Sequence, residues 1–262
     1  MYKRLEFSKY QQFVNYVEEY DSNSSSSYVF TTIQKKLTDN ERIMPRVRTT
    51  YQESNKPVSL QDYMNQEEVL FATNAGIFNT KTERPECVLI SNGKIIVDQG
   101  ETYVHVHPDD GGDKRDELYI LGISRNGELI IYPPKTSCKK ILEDGCVDAI
   151  MGFVPLIINY RQIDEDQVCS YISYGRHPRQ IIGEDKDGNY FVLTVKKPGM
   201  TLKEARELLY HFGVRVAYNL DGGSSTQTVF HKEKLIPAYR EKNGRKIPTV
   251  ITFEVITGKL VI

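Results

Sequence analysis

No stretch of this 262-residue chain approaches the ~20 consecutive apolar residues that a membrane-spanning helix needs. The N-terminus, Met1-Tyr2-Lys3-Arg4-Leu5-Glu6-Phe7, lacks the apolar core of a secretory signal. The expectation is therefore a cytoplasmic protein, or one that leaves the cell without a signal peptide, as a virion-borne bacteriophage product would. Charge of one sign is also lacking: the formal net charge is -1, so no basic field recruits nucleic acid or anionic lipid. The four cysteines, Cys87, Cys138, Cys146 and Cys169, form no C-x-x-C, and no histidine pair stands beside them at zinc-ligand spacing. They read as buried thiols, with Cys138–Cys146 the pairing to consider if a disulfide forms.

What the chain does have suits a globular protein with a sizeable core: 39% apolar and 26% charged residues. Phe7, Tyr10, Phe13, Val14 and Val17 recur at helical spacing, and the run Asp21-Ser22-Asn23-Ser24-Ser25-Ser26-Ser27 follows them. These predict an N-terminal helical appendage and linker over residues 1–27, with a main domain over 28–262. From Tyr28 onward, short β-rich runs are separated by turn signals. Asn92-Gly93 sits between two apolar runs, the strongest short hairpin signal, and similar hairpins flank Arg125–Glu128 and Asp185–Asn189. A short Ser-capped helix is expected after Ser59. A longer one is expected over Thr201–Gly213, with Thr201 and Glu204 as a capping box and Leu202, Ala205, Leu208, Leu209 and Phe212 as its apolar stripe. The expected fold class is α+β, a mixed or antiparallel β-sheet core with a few helices.

After that helix, Val214-Arg215-Val216-Ala217-Tyr218-Asn219-Leu220 reads as a strand running into Asp221-Gly222-Gly223-Ser224-Ser225-Thr226. Two glycines let the backbone turn tightly and approach a ligand, and the hydroxyls offer short donors. An acid at a strand end before such a turn is held by rigid structure and opens to a cleft. The local chemistry equally fits a tight turn in which Asp221 caps its own backbone.

The string Asn219–Thr226 resembles the N-L-D-G-G-G-S-S signature of the phosphodiester glycosidase family. Further strings follow that family's order. Asn74-Ala75-Gly76-Ile77-Phe78-Asn79 resembles N-G-G-F-F-[DN], and the stretch Ile150–Ile158 resembles G-G-P-x-L-[LV]. Arg176-His177-Pro178-Arg179-Gln180-Ile181-Ile182-Gly183 resembles H-P-R-T-A-I-G, Gly199-Met200-Thr201-Leu202 resembles G-M-[TN]-L, and Arg245-Lys246-Ile247-Pro248 resembles R-x-[VI]-P. The resemblance runs from about Phe71 to Ile256. There are departures: Ser224 stands for the third glycine, Ala75 for the second glycine of N-G-G, Gly152-Phe153-Val154-Pro155 for G-G-P, and Val195-Lys196-Lys197 where many relatives carry D-G-R.

The resemblance implies a hydrolase that cleaves a sugar joined through its anomeric carbon to a phosphodiester; with no signal segment in the sequence, a bacterial enzyme or a bacteriophage product is the expected setting. A phosphomonoester leaving group is already a stable anion, so strong general-acid catalysis matters less than in ordinary glycoside hydrolysis. The site then needs a carboxylate near the anomeric carbon and cations or N–H donors for phosphate. The candidate catalytic residues are Asp221, as nucleophile or as base for water, with Arg179 for phosphate and His177 as proton shuttle or phosphate ligand. The candidate substrate-binding residues are Asn74, Gly76, Arg176, Asn219, Gly222, Gly223, Ser224, Ser225 and Thr226. The competing readings are a turn cap for Asp221, a surface ion pair for Arg179, a packed structural residue for His177, and turn or strand-end roles for Asn74 and Asn219.

A second carboxylate is missing from the motifs. Glu86 and Glu184 are candidates by location, with a solvated strand edge as the competing reading. The run Asp109–Glu117 loosely suggests calcium but lacks the ordered ligand spacing, so a solvated loop competes with it. His105 and His107 would share one strand face, compatible with metal or phosphate. The expectation is no metal and no cofactor, with a divalent cation left open, and a sugar-phosphate as the partner. The oligomeric state is not written in the sequence. The reading from a different class is a non-catalytic carbohydrate-binding or virion-surface component on the same scaffold, and a weaker one is hydrolysis of a nucleotide-sugar-like diester.

Overall fold

The computed structural model describes residues 7–51, 56–64, 69–98, 118–163, 175–230, 234–237 and 244–257. They form three antiparallel sheets with few helices, as the hairpin signals predict.

The N-terminal helix is not there. Helix α1 covers only Phe7–Tyr10, a 3-10 turn follows at Gln11–Phe13, and Val14–Asp21 is a strand, β1. It pairs along its length with β2 (Ser26–Ile33). The helical spacing of apolar residues ran through a stretch, Val14-Asn15-Tyr16-Val17, whose β-branched and aromatic side chains also suit a strand. Eight cross-strand pairs decided between the two, and tertiary pairing overrides a local period. The serine run is the turn of this hairpin: Asp21 Oδ2 accepts from Ser24 N at 2.7 Å, and Ser26 Oγ donates to Gly199 O at 2.8 Å.

Strand β3 (Glu41–Thr49) and the short helix α2 (Leu60–Met64) precede β4 (Val69–Asn74). The hairpin of β5 (Leu89–Ser91) and β6 (Lys94–Val97) turns through Asn92 and Gly93, at φ 51° and 75°. Positive φ at both central residues is what this tight turn requires. Strands β7 (Ile120–Ser124) and β8 (Leu129–Tyr132) form the next hairpin, and α3 (Cys138–Glu143) leads into β9 (Cys146–Met151), β10 (Pro155–Ile158) and β11 (Arg161–Gln162). After β12 (His177–Glu184) and β13 (Tyr190–Met200) comes α4 (Leu202–His211), whose N-terminus carries the expected capping box of Thr201 and Glu204. The chain finishes with β14 (Val216–Asn219), β15 (Gln227–Phe230), β16 (Lys234–Pro237) and β17 (Thr249–Thr257).

The seven-stranded sheet runs β1-β2-β13-β12-β14-β10-β11, and the five-stranded sheets run β16-β15-β4-β17-β3 and β6-β5-β9-β7-β8. Alternation along the central strands sorts the core. Ile181, Leu193 and Ala217 face α4 and the third sheet, while Ile182, Val192 and Tyr218 face Phe71, Ile251 and Phe253 of the second sheet. Each large apolar side chain fully buried here contributes roughly 1.5–3 kcal/mol. Cys87, Cys138 and Cys146 are buried free thiols, so no disulfide joins Cys138 to Cys146; Cys169 lies outside the described residues. No helix among the described residues is long and apolar enough to cross a membrane.

Candidate active site

The ends of β4 and β14 come together beside the start of β12. Leu220 N donates to Gln180 O at 2.8 Å, and Asp221 N donates to Ala75 O at 2.9 Å. Asn74 bridges two strands: its Nδ2 donates to Asp221 O at 2.6 Å, and its Oδ1 accepts from Gln227 N at 3.1 Å. Asp221 is thus fixed on both sides before the chain turns. Its Oδ1 accepts from Gly222 N at 2.9 Å, so it does cap its own turn. Both glycines of the loop have a steric reason. A Cβ on Gly222 would stand 2.8 Å from Pro178 O, and Gly223 adopts φ +59°. Residues Gly223–Ser225 form a 3-10 turn before β15.

Arg245 meets this loop from the segment before β17. Its Nη1 donates to Ser224 Oγ at 2.8 Å and Ser225 Oγ at 3.3 Å, and its guanidinium carbon lies 4.9 Å from the centre of the Phe78 ring. Stacking on a ring and hydrogen bonding along one edge leave Nε and Nη2, which make no hydrogen bond among the described residues, as a fork for an oxyanion. Thr249 Oγ1 accepts from Gly76 N at 3.2 Å, bracing the same segment against the end of β4.

Burial pushes the Asp221 carboxyl up to about 6, against the opposing pull of the Ser225 hydroxyl, the Arg245 charge and the Gly222 N–H. Around it, Asn219 Oδ1, Thr226 Oγ1, Gln227 Oε1 and Gln180 Oε1 are buried without a hydrogen-bond partner among the described residues. Buried acceptors of this kind call for water or a polar ligand.

The β12 residues divide. The β12–β14 ladder ends at Ile181–Asn219, and one further two-residue step of its register puts Asp221 across from Arg179. The Arg179 side chain is buried and donates to Met200 O and Gly175 O, both at 2.8 Å; burial holds its pKa down at about 10. His177 is exposed at the start of the strand, with its pKa lowered by partial burial and then by the Arg179 charge. Arg176 turns away into a forked ion pair with Glu204 and a bond to Asn23 O, tying α4 to the first hairpin.

Neither extra carboxylate is a solvated strand edge. Glu86 is buried and accepts from Asn79 Nδ2 at 2.9 Å, beside the bridge that pairs Phe78 with Pro85. Glu184 is buried at the far end of β12, where it accepts from Leu129 N and pairs with Arg215. Its register partner is Val216, five residues from Asp221, which is about 16 Å along a strand. Among the described residues no group of three or more His, Cys, Asp or Glu could hold a metal ion. His105, His107 and the run Asp109–Glu117 lie outside the described residues.

Sequence reasoning had Arg245 only as part of a terminal motif and did not single out Phe78, Gln227 or Thr249. The Arg245-x-Ile247-Pro248 string was the available signal for the first.

A sequence model of the family described as phosphodiester glycosidase matches residues 67–254. Among solved structures, the chain is similar to the catalytic domain of zebrafish N-acetylglucosamine-1-phosphodiester alpha-N-acetylglucosaminidase, auto-inhibited by its pro-peptide. The TM-score is 0.67 at 20% identity, covering 92% of this chain and 82% of that one. A hypothetical protein from Synechocystis gives a TM-score of 0.64 at 15% identity, covering 94% of this chain and 62% of that one. At these identities the structural likeness speaks for the fold. A comparison with curated proteins finds no match.

Proposed function

This chain belongs to the phosphodiester glycosidase family, and from that premise we propose that it hydrolyses a sugar-1-phosphodiester, releasing free sugar and a phosphomonoester. The observation that carries the reading is the pairing of Asp221, a carboxylate raised to about 6, with Arg245, a guanidinium stacked on Phe78 and hydrogen-bonded to the same loop. Asp221 serves the anomeric carbon, by attacking it or by taking a proton from the water that does. Either route breaks the C–O bond and leaves the electron pair on a phosphate oxygen. The open edge of Arg245 receives that oxyanion, whose charge grows as the bond breaks. Asn74 holds the loop through both ends of its amide, while Asn219, whose Oδ1 has no partner among the described residues, offers an acceptor suited to a sugar hydroxyl. Ser224 and Ser225 orient Arg245 rather than act as nucleophiles, since among the described residues no histidine is hydrogen-bonded to them as base.

Hydrolysis of an N-acetylglucosamine-1-phosphodiester in 18O-labelled water tests this reading. Label in the released sugar supports it, and label in the phosphate contradicts the C–O cleavage. Tight glycan binding without release would favour the non-catalytic reading.

A further inference from the structure

We infer that Gln227 is a positioning residue that holds Arg245 and the Asp221 loop in one fixed relation. The inference rests on the proposed function in that it treats Arg245 as the phosphate ligand and Asp221 as the reacting carboxylate. Gln227 begins β15, and 1% of it is exposed. Its main chain is fastened to the β4 side of the site: its N–H donates to Asn74 Oδ1 at 3.1 Å, and its carbonyl accepts from Thr73 Oγ1 at 3.2 Å. Asn74 in turn donates to Asp221 O at 2.6 Å. The Gln227 side chain reaches the other way, and its Nε2 donates to Arg245 O at 2.8 Å. One residue therefore anchors both the loop that carries the acid and the segment that carries the cation. A hydrogen bond to the Arg245 carbonyl fixes where that side chain begins, while Phe78, Ser224 and Ser225 fix where it ends.

The test compares wild type, Gln227→Met, Arg245→Gln and the double variant. Two readouts are taken: steady-state sugar release from an N-acetylglucosamine-1-phosphodiester, and the Asp221 carboxyl titration followed by 13C NMR. Gln227→Met is expected to raise KM about 10-fold while kcat changes less. In the Arg245→Gln background the same substitution should change KM less than twofold, because its route of action is already gone. The Asp221 midpoint, about 6 in wild type, should move upward in both single variants as the Arg245 charge drifts or disappears. Among the described residues, Arg179 and His177 at the start of β12, Glu86 beyond Phe78 and Lys246 next to Arg245 are charged or titratable groups on neighbouring segments. They stay unchanged in every variant.

Gln227→Asn, which draws the amide back by one methylene, replaces the Met variant if that one does not fold, with the same direction expected. Full multiplication of the two KM effects, or an Asp221 midpoint that shifts in Arg245→Gln but not in Gln227→Met, would overturn the inference. A wild type that releases no sugar would sink the hydrolase reading instead, and the titration still decides the role of Gln227.

Discussion

Asp221 sits in surroundings that disfavour its charge, and the Arg245 guanidinium, the Ser225 hydroxyl and the Gly222 N–H only partly offset that cost. A carboxyl whose folded pKa is raised stabilises the fold while it is protonated. That contribution is complete below its unfolded value near 3.8 and is lost as pH climbs through about 6. Asp221→Asn removes the titration and keeps an acceptor for Gly222 N. Its stability should match wild type at pH 4 and exceed it by about 2 kcal/mol at pH 7.5, readable by urea denaturation at the two pH values. Activity follows the opposite limb: kcat should rise with pH through a midpoint near 6, as the carboxylate forms. Arg245→Ala removes a stacked, forked cation, and KM should rise roughly 10- to 100-fold, as expected for a charge-assisted hydrogen bond lost to a phosphate. Asp221 was legible because six consecutive residues carry its signal. Arg245 was not, because its partnership with Ser224 and Phe78 exists only after the chain returns from β15 to β17.

At the scale of elements, the sequence spoke clearly wherever a local rule sufficed. The Asn92-Gly93 turn and the Thr201–Glu204 capping box both appear as expected. Thr201→Ala should cost about 1 kcal/mol of stability, the usual worth of such a cap, measured as a lower urea midpoint with unchanged m. The first hairpin shows the opposite case. Residues Val14–Asp21 fit two periods, and only the partner strand Ser26–Ile33 selects one. That partner was hidden behind a serine run whose composition suggests a linker. Composition does not reveal that Ser26 hydrogen-bonds Gly199, 173 residues away. The same limit explains Arg176. Standing just before the His177-Pro178-Arg179 string it read as a site candidate, and helix α4 offers it Glu204.

At the scale of the molecule, the described residues form three antiparallel sheets, and strand ends rather than strand middles meet at the candidate site. Asn74 ends β4, Asn219 ends β14, His177 starts β12 and Gln227 starts β15. Such an arrangement lets the core be apolar while amides and charges gather at one rim. The opposite end of β12 is closed by buried Glu184, paired with the partly exposed Arg215, a contact that serves the fold. Glu184→Gln there should destabilise by about 1–2 kcal/mol, because a partly exposed Arg215 loses its carboxylate but keeps access to water, while KM stays near wild type. The central claim is that Asp221 performs the chemistry of a sugar-1-phosphodiester hydrolase, and one assay tests it most directly. Sugar release from an N-acetylglucosamine-1-phosphodiester is measured for wild type and Asp221→Asn, with folding checked by thermal melting. The account predicts turnover by wild type and a loss of at least ~10³-fold in a fully folded variant. Undiminished turnover by folded Asp221→Asn would contradict it.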